Sequence, residues 1–446
     1  DRYDLAVRNG KTKQCKNCSS KIYRIERKTN MAEWKTVRLG TIASTNQETY
    51  SPKENWQFVN YLDTGNITMN RIDEVQHINT SMDKLPSRAR RKVKSNSIIY
   101  STVRPNQLHY GIIKEQPENF LVSTGFTVID VNMEKAVPDY IYYVLTQKEI
   151  TEHLQAIAEQ SVSAYPSLKP SDIENLEVLL PDIDTQKATV AILGVIDEKI
   201  KQNTEINNNL EQQAQAIFKS WFVDFEPFNG TMPSDWEIVP LEKIADFQNG
   251  YAFKSKELLN EPSPDCYQVF KQGHIARGGG FIPDGTKSWY PKSLASKLKK
   301  FVLKKGDILM AMTDMKDNVA ILGNTAIMPL DNEYIVNQRV GHIRVNGYKG
   351  VTYPFIYLLT NSTDFLVDLR SRANSGVQVN LSSSEIKASQ TVLPSEEVNN
   401  AFSEITLPMF EIIINNQLEN QRLAQLRDTL LPCLMSGVLD VSDIDI

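Results

Sequence analysis

The stretch PDIDTQK, residues 181–187, carries residue types that a metal-dependent nuclease uses. Pro181, Asp182, Asp184 and Lys187 match a PD…D…K spacing, with carboxylates for Mg²⁺ and a lysine for the scissile phosphate. Such a site needs its carboxylates on adjacent strands around one ion. Here the motif leads straight into a long segment of helical character, where Asp182 and Asp184 fall in the first turn. Acidic residues there cap free N–H groups and meet the positive end of the helix dipole. A second copy of the stretch, PSEEVNN at 394–400, keeps the proline and loses the metal set. The motif therefore reads as a helix start. A second candidate, Cys15 and Cys18 in C-K-N-C, lacks the second pair that a zinc site requires, since Cys266 and Cys433 are single and distant. No metal site and no catalytic residue is expected.

A different chemistry is carried by lysine and arginine. From 84 to 104 there are seven basic residues and no acidic one: Lys84, Arg88, Arg90, Arg91, Lys92, Lys94 and Arg104. From 287 to 305 there are again seven and none: Lys287, Lys292, Lys297, Lys299, Lys300, Lys304 and Lys305. A basic run is usually a solvated face. Two runs at matched places in a chain of net charge −5 point instead to phosphate-contacting surfaces. Side chains suited to base edges lie nearby. TVRPNQLHY offers Arg104, Asn106, Gln107 and His109; MTDMKDN offers Asp314, Lys316 and Asn318; GGGFIPDGTKSWY offers Trp289 and Tyr290. Simple drift of loop sequence is the alternative for any one of these.

The elements that must position these residues occur twice. WKTVRLGTIAS at 34–44 matches WEIVPLEKIAD at 236–246, and NSIIYS at 96–101 matches GDILMA at 306–311. IYYVLT at 141–146 matches FIYLLT at 355–360, and LKPSDIENLEVLLP at 168–181 matches LSSSEIKASQTVLP at 381–394. The offsets are 202, 210, 214 and 213, in constant order. A period near two hundred residues is a duplicated domain, because solenoid units repeat every ~20–50 residues. Each copy begins with short apolar runs broken by Gly, Pro and Asn. Val302–Leu303, Ile308–Met312 and Val319–Leu322 are predicted strands; Tyr140–Leu145 and Pro354–Leu359 are predicted short helices.

A long helix is predicted after each copy. Ile196, Asn203, Leu210 and Ile217 fall seven apart, as do Met409, Asn416, Leu423 and Leu430, and the two sets correspond at an offset of 213. Ile200, Ala214 and Trp221 fill the same stripe in the first helix, and Ile413, Asn420 and Leu434 in the second. This is a heptad seam with one inward asparagine per helix, which fixes register at a cost in stability. Each helix could instead pack on its own domain. A helix of forty residues spans ~60 Å, longer than one small domain can cover, so an antiparallel pair is expected. Trp221, Phe222 and Phe225 are read as core.

The expected class is α+β: two duplicated α/β domains separated by two long, antiparallel coiled-coil helices with pseudo-twofold symmetry. Boundaries fall at 31–181, 182–226, 227–394 and 395–446. Residues 1–30, basic and without periodic apolar positions, are read as an N-terminal extension, disordered or non-native. Hydrophobic and charged contents of 41% and 23% are ordinary for a globular protein. No apolar run reaches the length of a membrane span, and four cysteines make no disulfide framework, so a cytoplasmic setting is expected. GxxxxGK[ST], NPP[YF] and HExxH are absent, and GGG at 278–280 does not open a βαβ helix.

The chain resembles the specificity (S) subunit of type I restriction-modification systems over residues 31–446. The resemblance rests on WKTVRLGTIAS, on P…DTQKATVAILGVIDEKIKQN, on LEQQAQAIFKSWFVDF and on LENQRLAQLRDTLLPCLMSG. It implies two target-recognition domains, each reading one half of a bipartite double-stranded DNA site. It also implies a helix pair that sets the spacer and docks two modification (methyltransferase) subunits, with restriction/translocase subunits joining the full complex. S-adenosylmethionine, ATP and Mg²⁺ would belong to those partners, and the chain itself would be a non-catalytic component of DNA methylation and bacterial defence. A coiled-coil assembly adaptor without DNA specificity is the rival reading; it explains the helices but not the matched basic strips.

Overall fold

The computed structural model describes residues 34–160, 166–315, 319–375 and 378–441. The extension at 1–30, with Cys15 and Cys18, lies outside them, as do Lys316 and Asn318. The chain divides into two compact units, residues 1–190 with 434–446, and residues 191–433.

The first unit is built on two four-stranded sheets. In one, the order is Gln76–Asn79, Phe58–Leu62, Phe120–Ser123, Ala89–Lys92, with the two middle strands parallel and the outer pairings antiparallel. In the other, Ala43–Thr45, Phe126–Val131, Ser97–Ser101 and Tyr110–Ile113 run antiparallel throughout. Ser97–Ser101 is buried along its whole length, which is why NSIIYS reads as a continuous rather than an alternating run. A short antiparallel pair, Lys35–Arg38 with Glu177–Leu180, joins the beginning of the repeat to its end.

The second unit repeats this topology on the matched segments. Ala245–Asn249, Val340–Val345, Ile308–Ala311 and Thr325–Ile327 form the antiparallel sheet. Trp289–Pro291, Cys266–Phe270 and Tyr334–Val336 form the sheet with a parallel pair, and Val302 bridges to Ile335 where the first unit has its fourth strand. Glu237–Pro240 pairs with Gln390–Leu393. Helices Pro138–Leu145 and Tyr353–Thr360 occupy the predicted places, each with proline in its first turn, where no N–H is needed. Two strand predictions need correction. Val302–Leu303 makes only a single bridge. Val319–Leu322 is not a strand, because Ile321 and Leu322 donate their N–H groups to the Asp314 carboxylate at 2.7 and 3.2 Å.

Two forty-residue helices, Ile183–Phe222 and Glu396–Met435, follow the repeats. Both start in the same way. Asp182 accepts from Thr185 N–H at 2.9 Å, and Ser395 at the equivalent position accepts from Val398 N–H at 3.5 Å. Gln186 and Asn399, again equivalent, each donate back to the proline carbonyl that ends the repeat, at 2.8 and 3.3 Å. The Asp182 carboxyl is held below its ordinary range chiefly by that Thr185 N–H. The opening motif is a cap. Among the described residues, no three His, Cys, Asp or Glu side chains gather as metal ligands. No helix among them is long and apolar enough to cross a membrane.

Within the second unit the helices pair antiparallel. Asp197 meets Arg427 at 2.9 Å, Asn203 meets Asn420 at 2.9 Å and Asn207 meets Asn416 at 2.9 Å, in reverse order along the two helices. Two asparagines per helix point inward rather than one. Asn207 and Asn420 also reach the carbonyls of Ile413 and Ile200, at 3.2 and 3.4 Å. At an offset of 213 these bonds map onto one another, so the quartet has local twofold symmetry. Glu419 breaks it, accepting from Asn203 at 2.7 Å. Of the other seam residues, Ile196 is buried, and Leu210, Ile217, Met409, Leu423 and Leu430 are half-buried. Where the first helix ends and the second begins, the helices still touch and the domain core joins them. Phe222 packs on Phe402 and Phe355 with ring centroids 4.9 and 5.2 Å apart, and Trp221 and Phe225 lie against this core. Pro408 and Pro432 lie inside the second helix, and each removes one rung of its hydrogen-bond ladder.

The quartet generates a test. Asn203→Leu should lower stability by about 1–3 kcal/mol, since Asn420 and Glu419 lose a buried donor. Replacing all four asparagines with leucine should recover stability in a denaturant melt. It should also broaden the species seen by size-exclusion light scattering, because an all-apolar seam no longer selects one register.

Candidate nucleic-acid interface

In the first unit the basic strip lies along one edge of the mixed sheet. Arg90, Arg91 and Lys92 belong to the strand Ala89–Lys92, half-buried, with Arg91 and Lys92 opposite Val122 and Leu121. Lys92 is held at 2.6 Å by Glu54 and lies 5.2 Å from the Trp56 ring centre; its charge is already matched. Lys94 lies 3.6 Å from Glu48 and 3.7 Å from Asp130. Arg88 is exposed, and its carbonyl accepts from Thr124 N–H, which ties the strip to the turn between Phe120–Ser123 and Phe126–Val131. Burial would raise the Asp63 carboxyl beside it, but the Thr64 N–H, the Ser123 and Tyr61 hydroxyls and the Arg88 charge hold it low.

Arg104, Asn106 and Gln107 are exposed on the turn Pro105–Gln107. Arg104 and Leu108 take left-handed conformations, and so do Met69 and Asn70 in the loop it touches. Met69 N–H donates to Leu108 O at 2.9 Å, Asn70 N–H to Tyr110 O at 2.8 Å, and His109 Nδ1 meets Ile67 O at 2.6 Å. His109 is thus a brace, while the side chains of Asn106 and Gln107 are exposed and make no hydrogen bond among the described residues. Strained backbone held by such bracing is a usual mark of a working loop.

In the second unit Lys297, Lys299, Lys300 and Lys304 are exposed and make no ion pair among the described residues. Lys300 sits 4.9 Å from the Phe301 ring centre. Lys287 pairs with Asp284 at 2.9 Å, and Lys305 pairs with Glu411 of the C-terminal helix. Two loop expectations change. Tyr290 is 4% exposed and packs 4.8 Å from Phe253, so it is core. The Asp314 carboxylate is spent on the backbone N–H groups of its own loop. The braced pair of loops recurs here with other residues: Gln272 and Thr313 exchange two hydrogen bonds, one from Thr313 Oγ1 to Gln272 Oε1 at 2.7 Å.

The same scaffold therefore carries, twice, a basic strip and a braced loop pair of differing sequence. The family model of the type I restriction modification DNA specificity domain matches residues 31–212 and again 233–427. The chain belongs to this family. It is 26% identical over 473 residues to the type I restriction enzyme HindI specificity subunit of Haemophilus influenzae, covering 91% of this chain and all of that one. It is 25% identical to the MjaIX specificity subunit of Methanocaldococcus jannaschii, over 72% of this chain and 73% of that one. The type I restriction-modification S subunit from M. genitalium shares the fold, with a TM-score of 0.55 at 16% identity, covering 92% and 97% of the two chains.

In the second unit the lysine strip is fixed in place by a buried charge. Asp307, 2% exposed, ends the turn that carries Lys304 and Lys305. It accepts from Arg344 Nε and Nη2 at 2.6 Å each, and from Lys304 N–H at 2.7 Å. His342 Nε2 lies 2.9 Å away. Burial alone would raise this carboxyl; His342 and Arg344 outweigh it and hold it below its ordinary value. In the first unit Ser97 holds the equivalent place, accepting from Lys94 N–H at 2.9 Å and donating to Asp130 at 2.5 Å. The carboxylate has moved to the opposite strand.

Asp307→Asn should therefore destabilise the protein by about 1.5–3 kcal/mol near neutral pH. Because the folded carboxyl is depressed, this contribution is complete above the unfolded value near 3.8 and fades as pH falls through the lower folded value. Chemical melts of both proteins should give curves that converge below pH 4. A gap that widened on acidification would contradict the assignment.

Proposed function

We propose that each domain of this specificity subunit reads one half of a bipartite duplex site. The helix pair would set the distance between the halves and dock the methyltransferase subunits. The observation that carries the reading is the double occurrence of one scaffold with matched basic strips and unmatched loops. Phosphate contacts are the same at every sequence, so the strip can stay similar while the loops diverge. Two halves of different sequence need that combination. The chain would then be non-catalytic. S-adenosylmethionine, ATP and Mg²⁺ would be held by its methyltransferase and translocase partners.

Docking is supported by apolar residues left outside the seam. Val195, Ile206, Ile405, Ile412 and Leu426 are 71%, 46%, 42%, 46% and 48% exposed on the two long helices. An outward apolar row on a charged helix pair suits a partner protein. The spacer role is tested by length. One added heptad extends a helix by ~10 Å, about three base pairs of duplex at 3.4 Å each.

The deciding experiment is single-molecule methylome sequencing of cells that express the chain with a modification subunit of the same system. A bipartite motif present only with both proteins is expected. Copurification without any motif would favour an assembly adaptor. At the level of affinity, replacing Lys299, Lys300 and Lys304 with alanine should weaken binding to specific and random duplex alike. The slope of log K against log salt should flatten by roughly 0.9 for each phosphate that is no longer neutralised. An unchanged slope in a salt titration would remove the strip from the interface.

A further inference from the structure

The turn at Asn337, Gln338 and Arg339 joins the two main sheets of the second unit, between Tyr334–Val336 and Val340–Val345. Its backbone is fastened from three sides and capped from within. Asn337 N–H donates to Phe270 O at 3.0 Å, Gln338 N–H to Tyr251 O at 2.9 Å, and Arg339 O accepts from Met312 N–H at 3.3 Å. The Asn337 side chain caps Arg339 N–H at 3.3 Å. Gly250 makes room for the turn, since a Cβ there would lie 2.1 Å from the Asn337 carbonyl oxygen. Out of this fixed backbone project two exposed side chains, Gln338 and Arg339. Neither makes a side-chain hydrogen bond or ion pair with the described residues.

The turn borders the lysine strip. Tyr251, whose carbonyl holds Gln338, packs 5.5 Å from Phe301, and Phe301 carries the Lys300 ammonium on its ring. Val302, next in the chain, pairs with Ile335, three residues before Gln338. Three extended residues span about 10 Å. That is comparable with the ~8.5 Å depth of the major groove, the distance from backbone to base edge. In the first unit the same turn holds Ser123, Thr124 and Gly125 and has no long polar side chain of its own. Arg88 from the basic strip is tied to it instead.

We infer that the Gln338–Arg339 turn is a specificity-determining element of the second domain, reading base edges of its half-site. The inference rests on the DNA-reading role proposed above. Arginine forks onto the two acceptors of guanine, and glutamine matches the donor and acceptor of adenine. The turn therefore assigns to the second half-site a guanine read by Arg339, with Gln338 on an adjacent base. An anchored backbone reduces the ordering that binding must impose on these two side chains.

The test uses the full chain with its modification subunit. Wild type, Arg339→Ala, Arg339→Lys and Gln338→Ala are compared by methylome sequencing and by gel shift on duplexes changed at one position at a time. Arg339→Ala should lose discrimination by about tenfold or more at a single G·C position of one half-site. The other half-site and the salt slope should not change. Arg339→Lys keeps the charge without the fork and should recover binding more than discrimination. Normal melting of each variant separates reading from folding. If both alanine variants keep the wild-type motif at every position, the assignment is wrong while the domain-level reading stands. If wild type itself yields no motif and no sequence preference, both fall.

Discussion

The pairing of the two long helices depends on four asparagines. A heptad stripe by itself states only that an apolar face needs a cover. It does not choose among registers seven residues apart, because each buries much the same surface. Asn203, Asn207, Asn416 and Asn420 make the choice, since any shift would leave the buried amides of Asn203 and Asn207 without their half-buried partners Asn420 and Asn416. Their local twofold symmetry has a direct source. Each helix is the tail of one copy of a duplicated unit, so a residue that faces the partner in one copy faces it in the other. One substitution pattern, duplicated, yields a closed set of four.

Duplication also explains what stayed fixed. The cap at Asp182 and Ser395, and the back-bond from Gln186 and Asn399, hold the same offset of 213 as the seam. The start of each helix and its apolar phase are thus locked together, as they must be if the seam is to emerge facing the right way. Polar details changed where a swap preserved the bond. Ser97 with Asp130 and Asp307 with Arg344 occupy one place, and both satisfy the backbone N–H at the mouth of the basic turn. The fold needs the satisfied hydrogen bond at this place, and different residue pairs can supply it.

The fold was largely legible in the sequence, and for physical reasons. Repeats at constant offset and a seven-residue apolar period are long signals that no single substitution erases. The helix starts were readable because cap chemistry is local. Asn207 was not read, because it falls between the seven-residue positions followed first; Asn420 was placed on the stripe, but no period announces its bond to Asn203. The failures lie in loops. Val319–Leu322 looks like a strand by composition, but Asp314 takes its N–H groups, and no period announces such a bond. Tyr290 looked like an exposed aromatic because its neighbours are polar, yet its ring lies under Phe253. Basic residues were found but not their partners: Glu54 and Glu411 lie 38 and 106 residues from Lys92 and Lys305. The turn at Gln338 and Arg339 carried one faint signal. Aligning the copies sets VNQRV against VSTGF, with long polar residues where the first copy has small ones.

A net charge of −5 and a nucleic-acid surface are compatible once affinity and specificity are separated. Lysines on a strip attract any duplex, and on a chain basic throughout they would hold it at every sequence. On the reading proposed above, the acidic background around the two strips would keep much of the folded surface repulsive to a duplex. On that reading nonspecific binding would be weak, and discrimination would fall to the few side chains that touch bases. Those side chains must be held still, because a mobile arginine loses part of its discrimination to ordering. The second unit would meet that need with a fastened turn beside a lysine strip, and the first with a braced loop whose backbone is left-handed at Met69, Asn70, Arg104 and Leu108. Rigid backbone under exposed side chains is an arrangement that would let one scaffold serve two different sequences.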